Sequence, residues 1–256
     1  MKKFLAVICF GFLSLSFANA GILTLGVSGN AGLLDVTGKE TISGSTNAGT
    51  DRVESADVAR AATATAATST KESDEVGIAY ASLFAELGLF DTGLRVGMSY
   101  VPYALESETT ENVRVDNCEQ AHPAAGVTPT ACSATTNKVS VDLEDLMHMY
   151  VSYHHNLDLP FLSSVFLKAG IIEADVITRD ILSSGSQYGN TSLSGDFYGL
   201  GFEKNLEEQG IFVRLEGAVT TFDSIQLKNS NSENTNTIDI TGMDGATATF
   251  SIGKTF

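Results

Sequence analysis

The last ten residues of the sequence alternate between apolar and small polar side chains, and this pattern limits the possible folds more than any other feature. Phe256, Ile252, Phe250 and Ala248 fall on one face of an extended strand. The opposite face carries Thr255, Gly253, Ser251, Thr249 and Thr247. Such a division suits a barrel wall, because its outer side chains meet lipid while its inner ones meet a polar interior.

The same two-residue period recurs along the chain. It predicts eight strands, at about 22–43, 75–87, 94–106, 138–156, 165–181, 193–205, 211–228 and 236–256. The fourth is the clearest, since only Asp145 interrupts its apolar face. A break at Gly29 would split the first segment and give nine strands, but bacterial single-chain barrels have even numbers. The predicted fold is therefore an all-β, transmembrane, antiparallel up-and-down β-barrel of eight strands.

The connections between these segments alternate strictly in length. The short ones lie at 88–93, 157–164 and 206–210, and the long polar ones at 44–74, 107–137, 182–192 and 229–235. This alternation predicts short periplasmic turns and long extracellular loops. A soluble β-sandwich would also alternate, but it gives no reason for an aromatic residue at the last position.

The first twenty residues predict export. Lys2 and Lys3 precede a mostly apolar run from 4 to 17, and Ala18-Asn19-Ala20 is a small-x-small cleavage site. We expect a signal peptide over 1–20, a barrel domain over 21–256, and insertion into the bacterial outer membrane.

Charge and hydropathy exclude two classes of protein. The formal net charge of −16 is unfavourable for binding nucleic acid. Beyond the leader, no apolar run approaches the roughly 18 residues of a membrane helix, so a membrane-spanning form of this chain needs a closed barrel.

In this arrangement the chain resembles the small eight-stranded outer-membrane barrels of Gram-negative bacteria, a group that includes the OmpA membrane domain and the OmpX, OmpW and opacity-type proteins. The resemblance covers 21–256 as an architecture. It implies that Phe250, Ile252 and Phe256 form the signal read by the barrel-assembly machinery, a pattern from which Lys254 departs.

The inner faces of the predicted strands carry charges of both signs. The lumen residues predicted in this way are Glu86, Arg95, Asp142, Glu144, His148, Tyr150, Lys168, Arg214 and Glu216. Eight strands enclose a space that side chains can fill, and buried charges must pair. One interpretation is therefore a plug of ion pairs, and the other is a narrow, cation-preferring pore or solute-uptake channel lined by the same groups.

The predicted loops offer sites at the cell surface. Cys118 and Cys132 lie in the second long loop, where a disulfide is expected outside the cytoplasm. Its closure stiffens the loop or shapes a receptor site. The first loop is acidic and of low complexity at 61–70, which suits contact with lipopolysaccharide through divalent cations, although no spacing resembles an EF-hand. No extracellular ligand can be named.

Enzymatic activity is not predicted. Some eight-stranded barrels modify lipid A, a reaction that needs a serine, a histidine and a carboxylate within reach. His154 and His155 adjoin the periplasmic turn, and nothing marks a nucleophile beside His148. The sequence predicts a structural or surface-interacting barrel in outer-membrane lipid, without catalytic residues, cofactor or metal.

Overall fold

The computed structural model describes residues 23–43, 68–107, 109–115, 134–181, 187–206, 210–229 and 235–256. Within these ranges the chain forms one antiparallel sheet with a three-residue 3-10 turn at Phe90–Thr92. None of the described residues forms a helix of sufficient length and apolarity to cross a lipid bilayer.

Eight hydrogen-bonded strands close into a ring, and three short strands pair beside them. The strands are β1 Leu23–Ser43, β2 Thr68–Gly88, β3 Leu94–Tyr100, β4 Leu105–Glu106, β5 Thr110–Val115, β6 Ala134–Leu159, β7 Leu162–Ile181, β8 Thr191–Leu206, β9 Ile211–Phe222, β10 Ile225–Lys228 and β11 Thr235–Thr255. The ring runs β1-β2-β3-β6-β7-β8-β9-β11 and returns to β1. The all-β, up-and-down, eight-stranded ring predicted from the sequence is confirmed.

The first and last strands close the ring over almost their whole length. Their ladder runs from Thr24 opposite Thr255 to Ser43 opposite Thr235, with one irregularity between Thr37 and Gly38. The Phe256 N–H extends it by donating to the carbonyl of Leu23 at 2.8 Å. We call the end of the ring at which β11 finishes the C-terminal end.

The two faces of the wall differ as the alternation predicts. Along β8, alternate side chains from Leu193 to Glu203 are buried inside the ring, and those between them are exposed. The exposed outward set is large and apolar around the ring, and includes Leu25, Val27, Leu83, Val151, Leu167, Leu200, Phe202, Leu215, Val219, Phe250 and Ile252. We call this outer surface the apolar belt.

The third predicted strand, 94–106, is wrong beyond Tyr100. Strand β3 ends at Tyr100, and residues 101–104 leave the ladder before β4 begins at Leu105. Pro102 lies in this break, and a proline has no N–H to donate to a neighbouring strand. Strand β5 lies within the predicted loop 107–137 and pairs only with β6.

Other boundaries also differ from the sequence prediction. The second and fourth strands start earlier, at Thr68 and Ala134, in polar sequence where no apolar alternation reveals a strand. The seventh divides at 223–224, where the Asp223 N–H donates to the Ser194 carbonyl at 2.8 Å. Asp145, which interrupts the fourth strand's apolar face, forms a bulge with a φ of 53°.

Candidate functional site

The most tightly built part of the interior surrounds Arg214 on β9. Its guanidinium donates from Nη1 to Glu86 Oε1 at 2.7 Å and from Nη2 to Glu86 Oε2 at 3.0 Å, which is a bidentate ion pair. Nη2 also donates to Glu203 Oε2 at 2.7 Å. Arg95 approaches both carboxylates at 3.3–3.5 Å. Two carboxylates and two guanidiniums thus neutralise each other near the C-terminal end.

Aromatic rings enclose this cluster. The Arg214 Cζ lies 4.9 Å from the ring centroids of Phe166 and Phe212, and 5.5 Å from that of Phe84. Cation–π attraction is stronger where water is excluded, and all three rings are buried. The charged pair is therefore held in a dry, fixed setting.

A second ion pair lies beside the first. Lys168 Nζ donates to Glu216 Oε2 at 2.5 Å and lies 4.4 Å from the Tyr150 ring centroid. The Tyr150 hydroxyl donates to Glu86 Oε1 at 2.9 Å, which links the two pairs. We call Glu86, Arg95, Tyr150, Lys168, Glu203, Arg214 and Glu216 together the charged layer.

Farther from the C-terminal end, two apolar clusters lie in the interior. Val101, Leu146, Ile172 and Ala174 form one buried cluster, against which Tyr80, Leu105 and Phe222 pack. Val176, Leu193 and Met243 form a second cluster that shares Phe222. We call these two clusters the apolar layer.

The remaining predicted lumen residues make other contacts. Asp142 is buried and accepts a hydrogen bond from Arg179, whose Nη2 also lies 3.7 Å from Glu144 Oε1. His148 contacts Phe197 edge-on, with 5.1 Å between ring centroids. The structure therefore divides the predicted set into the charged layer, an outer ion-pair group and a histidine against an aromatic ring.

A serine, a histidine and a carboxylate do come together in the ring. Ser152 Oγ lies 3.2 Å from His154 Nε2, and His154 Nδ1 lies 3.8 Å from Glu203 Oε2. However, Ser152 and His154 are only 1% and 4% exposed, and Glu203 already accepts hydrogen bonds from two arginines. Ser152 is therefore buried in this structure. The non-enzymatic interpretation stays a prediction.

Sequence reasoning missed three parts of the interior. Glu203 follows Gly199 and Gly201 on the inward face of β8, and its inward position was readable from that alternation. The apolar layer was missed because Ile172, Ala174 and Val176 were not separated from the lipid-facing residues of β7. The role of Tyr103, described below, depends on the break after β3 and has no sequence signal.

Other predicted features lie on the outside or beyond the described ranges. Phe250, Ile252 and Phe256 are exposed on the outer face of β11 and its end, and their role in assembly stays a prediction. Cys118, Cys132 and the signal peptide over 1–20 lie outside the described residues.

The loop disulfide can be tested directly. We expect mass spectrometry of the unreduced mature protein to find a peptide in which Cys118 is linked to Cys132, because thiols outside the cytoplasm oxidise. A reduced sample is the control. Recovery of both cysteines as free thiols contradicts the prediction.

The comparisons with known proteins do not assign the chain to a family. No family model and no curated protein matches the chain. Among solved structures, the chain is similar to the Klebsiella pneumoniae type II secretion system outer membrane complex (PulD, PulS and PulC HR domain), with 12% identity, a TM-score of 0.16, and coverage of 98% of this chain and 42% of that one. The Salmonella SPI-1 type III secretion injectisome secretin InvG gives 10% identity, a TM-score of 0.14, and coverage of 98% and 65%. The chain thus spans less than two thirds of either, and TM-scores this low do not indicate a shared fold.

Proposed function

We propose that this protein is an integral outer-membrane β-barrel with a closed, side-chain-filled lumen, and that its role is structural or lies in interactions at the cell surface. The observation that carries the proposal is the pair of interior layers. A charged layer in which each charge has a partner is followed by an apolar layer, and neither is a lining that water or ions would follow.

The outer surface supports the membrane part of the proposal. Monomeric soluble proteins rarely expose a contiguous apolar patch of more than a few hundred Å², whereas the apolar belt passes around the ring on every long strand. Tyr153 and Tyr198 are exposed on the same surface, which suits the interfacial aromatic girdles of membrane barrels. The partners of this surface are then outer-membrane lipid and lipopolysaccharide.

Planar-bilayer recording tests the closed lumen. We expect the refolded mature protein to give no steady conductance at low or high salt, because both interior layers must be displaced before ions pass. Protease protection of the same preparation verifies that the protein has inserted.

Stable current steps would contradict the closed lumen and favour a small, cation-preferring porin. In that case Glu216→Gln, in the charged layer, should alter the ion selectivity. The matched variant Glu106→Gln, an exposed position outside both layers, should leave the selectivity unchanged.

Membrane insertion can be tested separately because the chain contains no tryptophan. Leu215→Trp places a single fluorophore in the apolar belt, and we expect lipids with brominated acyl chains to quench it strongly. Gln226→Trp is the control, since Gln226 is exposed on β10, beyond the belt. Equal quenching of the two variants contradicts the membrane assignment of the belt.

A further inference from the structure

The wall of the ring is interrupted on one side. The ladder between β2 and β3 ends where Leu83 pairs with Tyr100. Strand β2 nevertheless extends back to Thr68, away from the C-terminal end of the ring, and stays paired with β1 there. Within the described part of the chain, the other side of β2 from Lys71 to Ala81 has no strand partner. We call this side the free edge.

The free edge presents backbone donors and acceptors in a known direction. The Ala81 N–H donates to the Tyr103 hydroxyl at 2.6 Å, so it points away from β1. Because strand residues alternate in the side to which their N–H and C=O groups point, those of Ala79 and Gly77 point the same way. Neither has a backbone partner among the described residues.

Tyr103 satisfies one backbone donor of the free edge. It lies in the segment that leaves the ladder after Pro102, and its phenol takes the place of a strand carbonyl at one position only. Nearer to Thr68, the Glu75 N–H donates to Asp74 Oδ1 at 2.9 Å, so its acceptor is the side chain of the preceding residue. An unpaired strand edge presents a row of N–H and C=O groups with which another chain can pair.

From these observations we infer that the free edge binds an extended, basic segment of a partner polypeptide, which adds a strand antiparallel to β2 and continues the ladder that β3 begins. This inference rests on the proposed function and identifies the chemistry of one surface partner. Strand addition to an exposed sheet edge is a general mode of peptide recognition. The ladder from Leu83 to Gly88 sets the direction, since the added strand must run as β3 does.

Charge selects a basic partner. Asp74 and Glu75 on the free edge and Glu106 on the facing segment are all exposed. Of the exposed charged side chains described along the edge, Lys71 is basic, whereas Asp74 and Glu75 are acidic. The chain as a whole has a formal net charge of −16. Lysine or arginine side chains on the added strand would pair with these carboxylates at the rim.

A second copy of the chain fits this edge poorly. Two copies inserted in the same direction have parallel β2 strands, whereas the edge calls for an antiparallel strand. Their acidic rims would also repel each other.

The experiment measures binding of a labelled peptide of alternating valine and lysine to the refolded full-length mature protein in lipid nanodiscs, by fluorescence anisotropy. We expect saturable binding that weakens by about tenfold in Ala79→Pro, because the proline removes one edge donor and disturbs its neighbours. The Ala79 N–H does not bond to β1, so that ladder is preserved. Ala79→Val keeps the donor and is the matched control.

The same peptide with N-methyl groups on alternate residues keeps its charge but cannot extend the ladder, and it should not bind. Equal binding of the methylated peptide, or of Ala79→Pro, overturns strand addition. Absence of binding, or a dimer that Ala79→Pro disrupts, also overturns the inference. Heat-modifiable gel mobility of every variant is recorded alongside. A normal shift without peptide binding refutes only this inference, whereas loss of the shift in the parent protein and of lipid quenching in Leu215→Trp refutes the proposed function.

Discussion

Replacing Arg214 with methionine should lower the free energy of unfolding by about 3–5 kcal/mol, the usual cost of removing one partner of a buried ion pair. The substitution leaves Glu86 and Glu203, both 2% exposed, with Arg95 at 3.3–3.5 Å as their remaining guanidinium, while Glu86 keeps the neutral hydrogen bond from Tyr150. Urea titration in lipid vesicles, followed by the fraction of heat-modifiable protein on gels, measures the change. Such a cost approaches the whole stability of a typical domain.

Two further variants separate the buried charge from other effects. Arg214→Lys keeps the charge but loses the bidentate geometry. Its free energy of unfolding should therefore lie between those of the parent and the methionine variant. Lys39→Met removes an exposed cation and should change stability by no more than about 0.5 kcal/mol. If Arg214→Met proves as stable as Lys39→Met, the charged layer does not hold the ring together.

Replacing Gly93 with asparagine should destabilise the ring by about 1–3 kcal/mol, the range for overpacking. Gly93 has a φ of 77° and its N-terminal neighbours form the 3-10 turn between β2 and β3. A Cβ at this position meets the carbonyl oxygen of His154, and the adjacent Gly93 carbonyl accepts the His154 N–H at 2.8 Å. The new side chain therefore pushes β3 away from β6 at the C-terminal end.

Gly210 provides a matched control because its φ of 63° is also left-handed. There a Cβ meets nothing nearer than Thr255 O at 3.7 Å, an ordinary contact. Asparagine tolerates the left-handed conformation, so Gly210→Asn isolates the backbone cost from the clash. The same urea titration compares the two variants, and equal losses would show that the clash at Gly93 is relieved by movement of the turn.

The sequence by itself determined the class of fold and the faces of most strands. A two-residue period is local information: each position along β8, β9 and β11 has its face set by its neighbours in the strand. Charges such as Glu86 and Arg214 could therefore be assigned to the interior without knowledge of any partner. The number eight followed from counting these segments once the first was kept whole, as the even strand numbers of bacterial barrels require.

Only the tertiary structure decided which interior groups meet. Glu86 and Arg214 are 128 residues apart in the chain, and the stagger of the strands, which no local pattern encodes, sets their pairing. The same is true of the apolar layer, since Ile172 reads as one more apolar residue until the ring places it inside. The free edge of β2 depends on where β3 leaves the ladder, and this is a property of two neighbouring strands together.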